Sequence, residues 1–146
     1  MFVLDTNVLV YAADRGCPEY AACRGLVERA RAEPMPWYLT WSVIYEFLRV
    51  TTHRAVWDEP WSLDGAWRFV TALLAAPGCD VLVPTERHAV LAERTFEEVP
   101  GLAGNILHDA HTAVLMREHG IRRIYTRDTD FHRFAFLDVL DPLTTS

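Results

Sequence analysis

The chain has 146 residues, a length that suits one domain and leaves no room for two full ones. Hydrophobic residues make up 51% and charged residues 23%, the mix of a compact fold rather than of a disordered chain. Twenty acids stand against fourteen bases, all of them Arg, and the net charge of −6 argues against a protein that coats nucleic acid by bulk positive charge. It does not exclude an enzyme whose acids are masked by bound metal.

Phe2-Val3-Leu4 is a short apolar run predicted as a strand; Asp5 follows it, and Thr6-Asn7 is expected to cap a helix reaching residue 11. Residues 18–32 form a predicted helix with Pro18 at its start and Tyr20, Cys23, Leu26, Val27 and Ala30 at helical spacing. A second strand is predicted at 37–39, and helical periodicity then runs from Ser42 until it fades at His53. The aromatic loop 57–61 leads into a helix over about 62–76, ended by Pro77-Gly78. A strand at 80–83 and a helix at 86–99 follow. A loop opens at Pro100-Gly101, and the next helix covers about 106–119 with Gly120 as its cap. The last strands are expected at 123–126 and 139–140. Short strands alternating with helices imply parallel βαβ units, hence one α/β domain spanning 1–146.

Cys17, Cys23 and Cys79 cannot all pair with one another and lack zinc-knuckle spacing, so free thiols in a reducing compartment are expected. Asp5 comes too early for the apolar region of a signal peptide, and no uncharged run approaches the roughly twenty residues of a membrane span. A soluble cytoplasmic protein without membrane contact is expected.

Ligands of parallel α/β sheets sit beyond the carboxyl ends of the strands. Asp5 lies at one such end, and Asp128 with Asp130 at another. Glu46 falls about 40° outside the apolar arc of its helix, and Asp109 has the same border position in its own. Carboxylates gathered in one crevice repel unless a cation or proton shares it. Hard divalent ions such as Mg²⁺ and Mn²⁺ take oxygen ligands, and two of them can activate water against a phosphodiester. No P-loop, Gly-rich dinucleotide turn, nucleophile elbow or His-Glu-x-x-His competes as a reaction centre.

With those residues in view, Phe2-Val3-Leu4-Asp5-Thr6-Asn7-Val8-Leu9-Val10-Tyr11-Ala12 resembles the opening of PIN-domain ribonucleases, above all the VapC-type toxins of toxin–antitoxin pairs. Tyr45-Glu46-Phe47-Leu48-Arg49 resembles their second acidic motif, and Leu107-His108-Asp109-Ala110 the third. Thr126-Arg127-Asp128-Thr129-Asp130-Phe131 resembles the closing one, so the similarity covers essentially the whole chain. The resemblance implies a three-layer α/β/α sandwich with a central parallel sheet and Mg²⁺- or Mn²⁺-dependent RNA cleavage. Carried over by position, it implies that Asp5, Glu46, Asp109 and Asp128 are the metal-binding acids, with Asp130 accessory. Thr6 or Asn7 would orient the first carboxylate or a bound water. It also implies a homodimer silenced by an antitoxin segment, often one that brings a basic side chain to the acidic cleft.

Arg49, Arg127 and Arg133 stand beside the acidic motifs and are candidate contacts to RNA phosphates, against ordinary ion pairing such as Arg49 with Glu46. His108 and His111 are three apart on one helix, but no third zinc ligand is evident, and surface or supporting roles near the acids fit better. Trp37, Trp41 and Trp67 are expected in the core. The helix over 62–76 is apolar except for a stripe of Asp64, Arg68 and Thr71, which suggests a dimer or antitoxin contact there. Two other readings compete. A haloacid-dehalogenase-type phosphotransferase needs a second acid where Asn7 stands, and a non-catalytic RNA- or partner-binding module would not need the intact acids.

Overall fold

The computed structural model describes residues 1–144. Strands β1 (Phe2–Leu4), β2 (Trp37–Thr40), β3 (Cys79–Leu82), β4 (Arg123–Tyr125) and β5 (Asp138–Leu140) form one parallel sheet in the order β3-β2-β1-β4-β5. The helices are α1 (Thr6–Ala13), α2 (Tyr20–Ala32), α3 (Trp41–Thr52), α4 (Leu63–Leu74), α5 (His88–Glu98) and α6 (Ile106–Glu118), and a 3-10 turn spans Thr129–Arg133. The chain winds outward from β1 to β2 and β3, then returns to the far side of β1 as β4. Winding therefore reverses between β1 and β4, and the crevice beyond their carboxyl ends is the natural ligand position of such a sheet.

Successive side chains of β1 face opposite layers. Leu4 joins the core cluster that includes Leu9, Val27, Phe47 and Val70, drawn from α1 to α4. Val3 joins Ala113 and Met116 of α6 with Phe131 and Phe134. Both strand residues are fully buried, as a parallel strand covered on its two faces requires. Helix α5 packs on α6, which completes the expected three-layer α/β/α sandwich. Among the described residues no helix is long and apolar enough to cross a membrane.

The start of α1 differs from expectation. Asp5 itself is the N-cap, in extended backbone, accepting from the Thr6 N–H. Thr6 and Asn7 become the first helical residues, and the helix continues to Ala13. At the end of α6, Gly120 takes φ +69°, and the Ile121 N–H reaches the Met116 carbonyl at 2.9 Å. The Gly120 N–H bonds to Arg117 at 3.3 Å, completing a Schellman closure that stops the helix and sends the chain into β4.

Of the three tryptophans expected in the core only Trp37 is there; Trp41 is 43% and Trp67 40% exposed. The buried stripe of α4 is Ala66, Val70 and Leu73, which turns Trp67 outward. Trp41 opens α3 on its outer side, beside the exposed Tyr45 ring at 6.5 Å. The loop before α4 folds onto the core. Trp61 packs on Phe47 at 6.2 Å and Phe69 at 5.8 Å, its backbone N–H bonds to the Thr51 carbonyl, and Phe69 stacks on Phe47 at 5.0 Å. Much of the apolar surface of α4 is thus covered within the chain, and its exposed large hydrophobics are Leu63 and Trp67. All three cysteines are unpaired; burial pushes the Cys23 thiol up to about 11 and the Cys79 thiol up to about 12.

Candidate functional site

Asp5 leaves β1 at its carboxyl end and is buried. Three donors hold its carboxylate: the Thr6 N–H at 2.8 Å on Oδ1, and the Thr126 hydroxyl at 2.7 Å and Asn7 Nδ2 at 3.1 Å on Oδ2. Thr126 follows β4, the neighbouring strand, so this bond spans the point where the winding reverses. Its oxygen also accepts from Asn7 Nδ2 at 3.0 Å and from the Asp128 N–H at 2.9 Å, while Asn7 Oδ1 accepts the Arg127 N–H at 3.1 Å. The Thr6 hydroxyl turns elsewhere, to the Val43 carbonyl of α3 at 3.3 Å. Burial drives the Asp5 pKa up and the Asp128 charge adds to the rise, while the bonds from Thr126, Thr6 and Asn7 work against it.

Asp128 caps the 3-10 turn by accepting from the Asp130 N–H at 2.9 Å, and this bend turns the two acids toward α6. Asp109 lies in the first turn of α6, at the positive end of its dipole. Asp109, Asp128 and Asp130 each offer a carboxylate oxygen within 4.8 Å of the other two. Burial first, and then the charges of Asp128, Asp5 and Asp130, together push the Asp109 carboxyl up to about 7. Asp5 thus belongs electrostatically to the group. A compact set of oxygen donors with mutually repelling charges fits a hard divalent cation, and among the described residues no other set of three matches it.

Glu46 is not drawn into this group. It is caught one turn along its own helix by Arg49, whose Nε and Nη2 donate at 2.9 and 2.6 Å. That hydrogen bond is the main reason its pKa lies below the ordinary glutamate value, and His108 contributes a smaller pull. Arg127 is also engaged, with Glu19 and Asp141 each at 3.3 Å. Arg133 donates to the Pro100 carbonyl at 3.0 Å, and among the described residues no carboxylate pairs with it. His111 faces away from the acids and meets Ser42 and His88.

Thr126 is the site residue that the sequence reading did not single out, although it stands inside the closing motif. Its one signal was a hydroxyl at a strand end immediately before the acidic turn; Asp5 and Asn7, the partners that make it part of the site, lie about 120 residues away.

A family model for the PIN domain matches residues 2–137. The chain is 40% identical over 143 residues to VapC ribonuclease Mb2897 of Mycobacterium bovis, covering 98% of this chain and 96% of that protein. Among solved structures, FitAcB from Neisseria gonorrhoeae has a TM-score of 0.71 at 18% identity, covering 99% of this chain and 100% of that one. VapBC2 from Rickettsia felis, solved bound to a DNA fragment from their promoter, has a TM-score of 0.67 at 13% identity over 95% and 96% of the two chains. At such identities the two structures speak to the fold alone.

Proposed function

Since the chain belongs to the PIN-domain family, we propose that it is a metal-dependent endoribonuclease, the toxin of a toxin–antitoxin pair, cutting RNA at Asp5, Asp109, Asp128 and Asp130. The observation that carries this reading is the meeting of Asp109, Asp128 and Asp130 within 4.8 Å beside the switch point of the sheet. Those three, with Asp5 next to them, are the residues that would hold Mg²⁺ or Mn²⁺. Bound there, such an ion neutralises charge on the scissile phosphate and lowers the pKa of water.

The chain supplies orientation. Its three donors hold Asp5 in one rotamer, so the carboxylate needs no reorganisation when substrate arrives. Asn7 and Thr126 are the residues that lock it, and Thr6 contributes its backbone N–H. Arg133 carries a guanidinium that, among the described residues, no carboxylate neutralises, and it is the arginine suited to an RNA phosphate. Arg49 and Arg127 are spent on carboxylates. Glu46 serves the metal only after leaving Arg49.

The same reading supplies an antitoxin as partner and the cytoplasm as the place of action. The finer arrangement is a homodimer resting partly on Leu63 and Trp67 of α4, with the antitoxin laid along the adjoining groove toward Asp5 and Asp109. Light scattering tests it: the wild type runs as a dimer at tens of micromolar, and Trp67→Glu shifts it toward monomer. The enzymatic reading is tested by incubating the protein with total bacterial RNA and Mn²⁺. Discrete cuts that vanish with a chelator and with Asp128→Asn are expected; cuts that survive both refute it.

A further inference from the structure

His111 was left without a task by the acidic site, yet it is the midpoint of a polar chain that crosses the molecule. Helices α3 and α6 belong to opposite layers, and the chain joins them beyond the carboxyl end of β2. His111 Nδ1 shares a hydrogen bond with the Ser42 hydroxyl at 3.3 Å, and Ser42 lies 3.0 Å from the Thr40 hydroxyl. The Thr40 oxygen accepts the Val43 N–H at 3.1 Å as the N-cap of α3, so the link ends on the backbone of that helix. On its other side the His111 ring meets the His88 ring edge-on, with centroids 5.8 Å apart. His88 Nδ1 bonds to Glu118 Oε2 at 2.6 Å, and Glu118 Oε1 accepts from the Thr85 N–H at 2.8 Å and hydroxyl at 2.7 Å.

Glu118 is the anchor. Its side chain is 0% exposed, so all its bonding must come from His88 and Thr85. Burial alone would raise its pKa, and those bonds outweigh the burial and leave it below the ordinary value. His111 and Glu118 are seven residues apart on one face of α6, whereas Asp109, two residues before His111, points about 200° away. A displacement of α6 at His111 therefore moves Asp109 with it. Apolar packing would hold the two layers together but leave their spacing soft; the Ser42–His111 hydrogen bond, with the His88 ring packed behind it and held by Glu118, fixes a distance.

We propose that Ser42, His111 and His88, anchored by Glu118, act as a strut of positioning residues that sets the spacing between α6, bearing Asp109, and α3, bearing Glu46. The proposal rests on the endoribonuclease reading and adds residues that lie outside the carboxylate group. Removing the strut lets α6 shift, and misplacing a reacting group by about 1 Å costs rate rather than substrate affinity.

The test first maps a cut site in total RNA with Mn²⁺, then measures kcat and KM on an oligonucleotide carrying it. Ser42→Ala and His111→Ala are each expected to lower kcat about tenfold with KM changed less than twofold. The double variant falls no further than the worse single one, because either change breaks the same strut. His111→Asn restores most of the rate, since its amide oxygen can accept from Ser42. Thermal scans establish that each variant is folded; Ser42→Ala removes one partly exposed hydroxyl and serves where a histidine variant fails. Unchanged rates, losses that multiply in the double variant, or a loss carried by KM alone overturn the proposal. Wild-type protein that cuts no RNA, or cuts equally well as Asp109→Asn, overturns the enzymatic reading itself and the strut with it.

Discussion

Replacing Asp109 by Asn should stabilise the metal-free protein, and only above a certain pH. The folded Asp109 carboxyl is pushed from 3.8 up to about 7, by burial first and by Asp128, Asp5 and Asp130 after it. Below about pH 4 the group is protonated folded or unfolded, and it adds nothing to the pH dependence. Between pH 4 and 7 the unfolded chain releases a proton that the folded chain keeps, so stability falls as pH rises. Above pH 7 both states are ionised and the full penalty stands, at most about 4 kcal/mol and about 2 kcal/mol once screening at a partly exposed group is allowed for. Asn removes the charge and keeps the shape. Scanning calorimetry in a chelator should show Asp109→Asn melting about 5–10 °C above wild type at pH 8, with the gap closing toward pH 4.5. Mg²⁺ should raise the wild-type melting temperature at pH 8 and leave the variant nearly unmoved. A gap of the same size at both pH values, or a variant that melts lower at pH 8, would refute the repulsion argument.

Thr126→Val removes one of the three donors on Asp5, strands the Asp128 N–H and leaves Asn7 Nδ2 with Asp5 alone; urea unfolding should show a loss of about 1–3 kcal/mol, with RNA cleavage falling alongside. Glu46→Gln should keep the Mn²⁺-induced rise in melting temperature that Asp128→Asn loses, because Glu46 stands outside the cluster. A rise lost equally in both variants would place Glu46 among the ligands after all. Arg133→Ala should raise KM for RNA by about tenfold with the melting temperature within a few degrees of wild type, read in steady-state cleavage and a thermal scan.

The positions of Asp5, Asp109, Asp128 and Asp130 were legible because each depends on local sequence. A strand end is marked where an apolar run stops, and helical period places a border acid within a few tens of degrees. Glu46 has the same border position as Asp109, and period alone cannot separate them. What separates them is Arg49 three residues on, within reach of Glu46, whereas Asp109 has no Arg at that spacing. Thr126 and the His88–Glu118 pair depend on bonds between distant segments, which no window of sequence contains. Trp41 and Trp67 show the reverse limit: bulk and apolarity argued for the core, but each sits beside its helix's buried stripe. The aromatic loop at 57–61 needed Phe47 and Phe69 in place before Trp61 had anything to pack against.

The four acids share one further circumstance that explains how the fold tolerates them. Asp5 caps α1, Asp128 caps the 3-10 turn with Asp130 in its first turn, and Asp109 stands in the first turn of α6. Three segments thus begin at the crevice, each directing first-turn N–H groups and the positive end of its dipole toward it. Asp5 and Asp128 accept such N–H groups directly. Asp109 does not: its hydrogen bond is with Asp128, another acid, which raises its pKa further instead of lowering it. Among the described residues Asp109 is therefore left with the repulsion of its neighbours and no backbone N–H to offset it. On this argument a divalent cation acts chiefly by relieving Asp109.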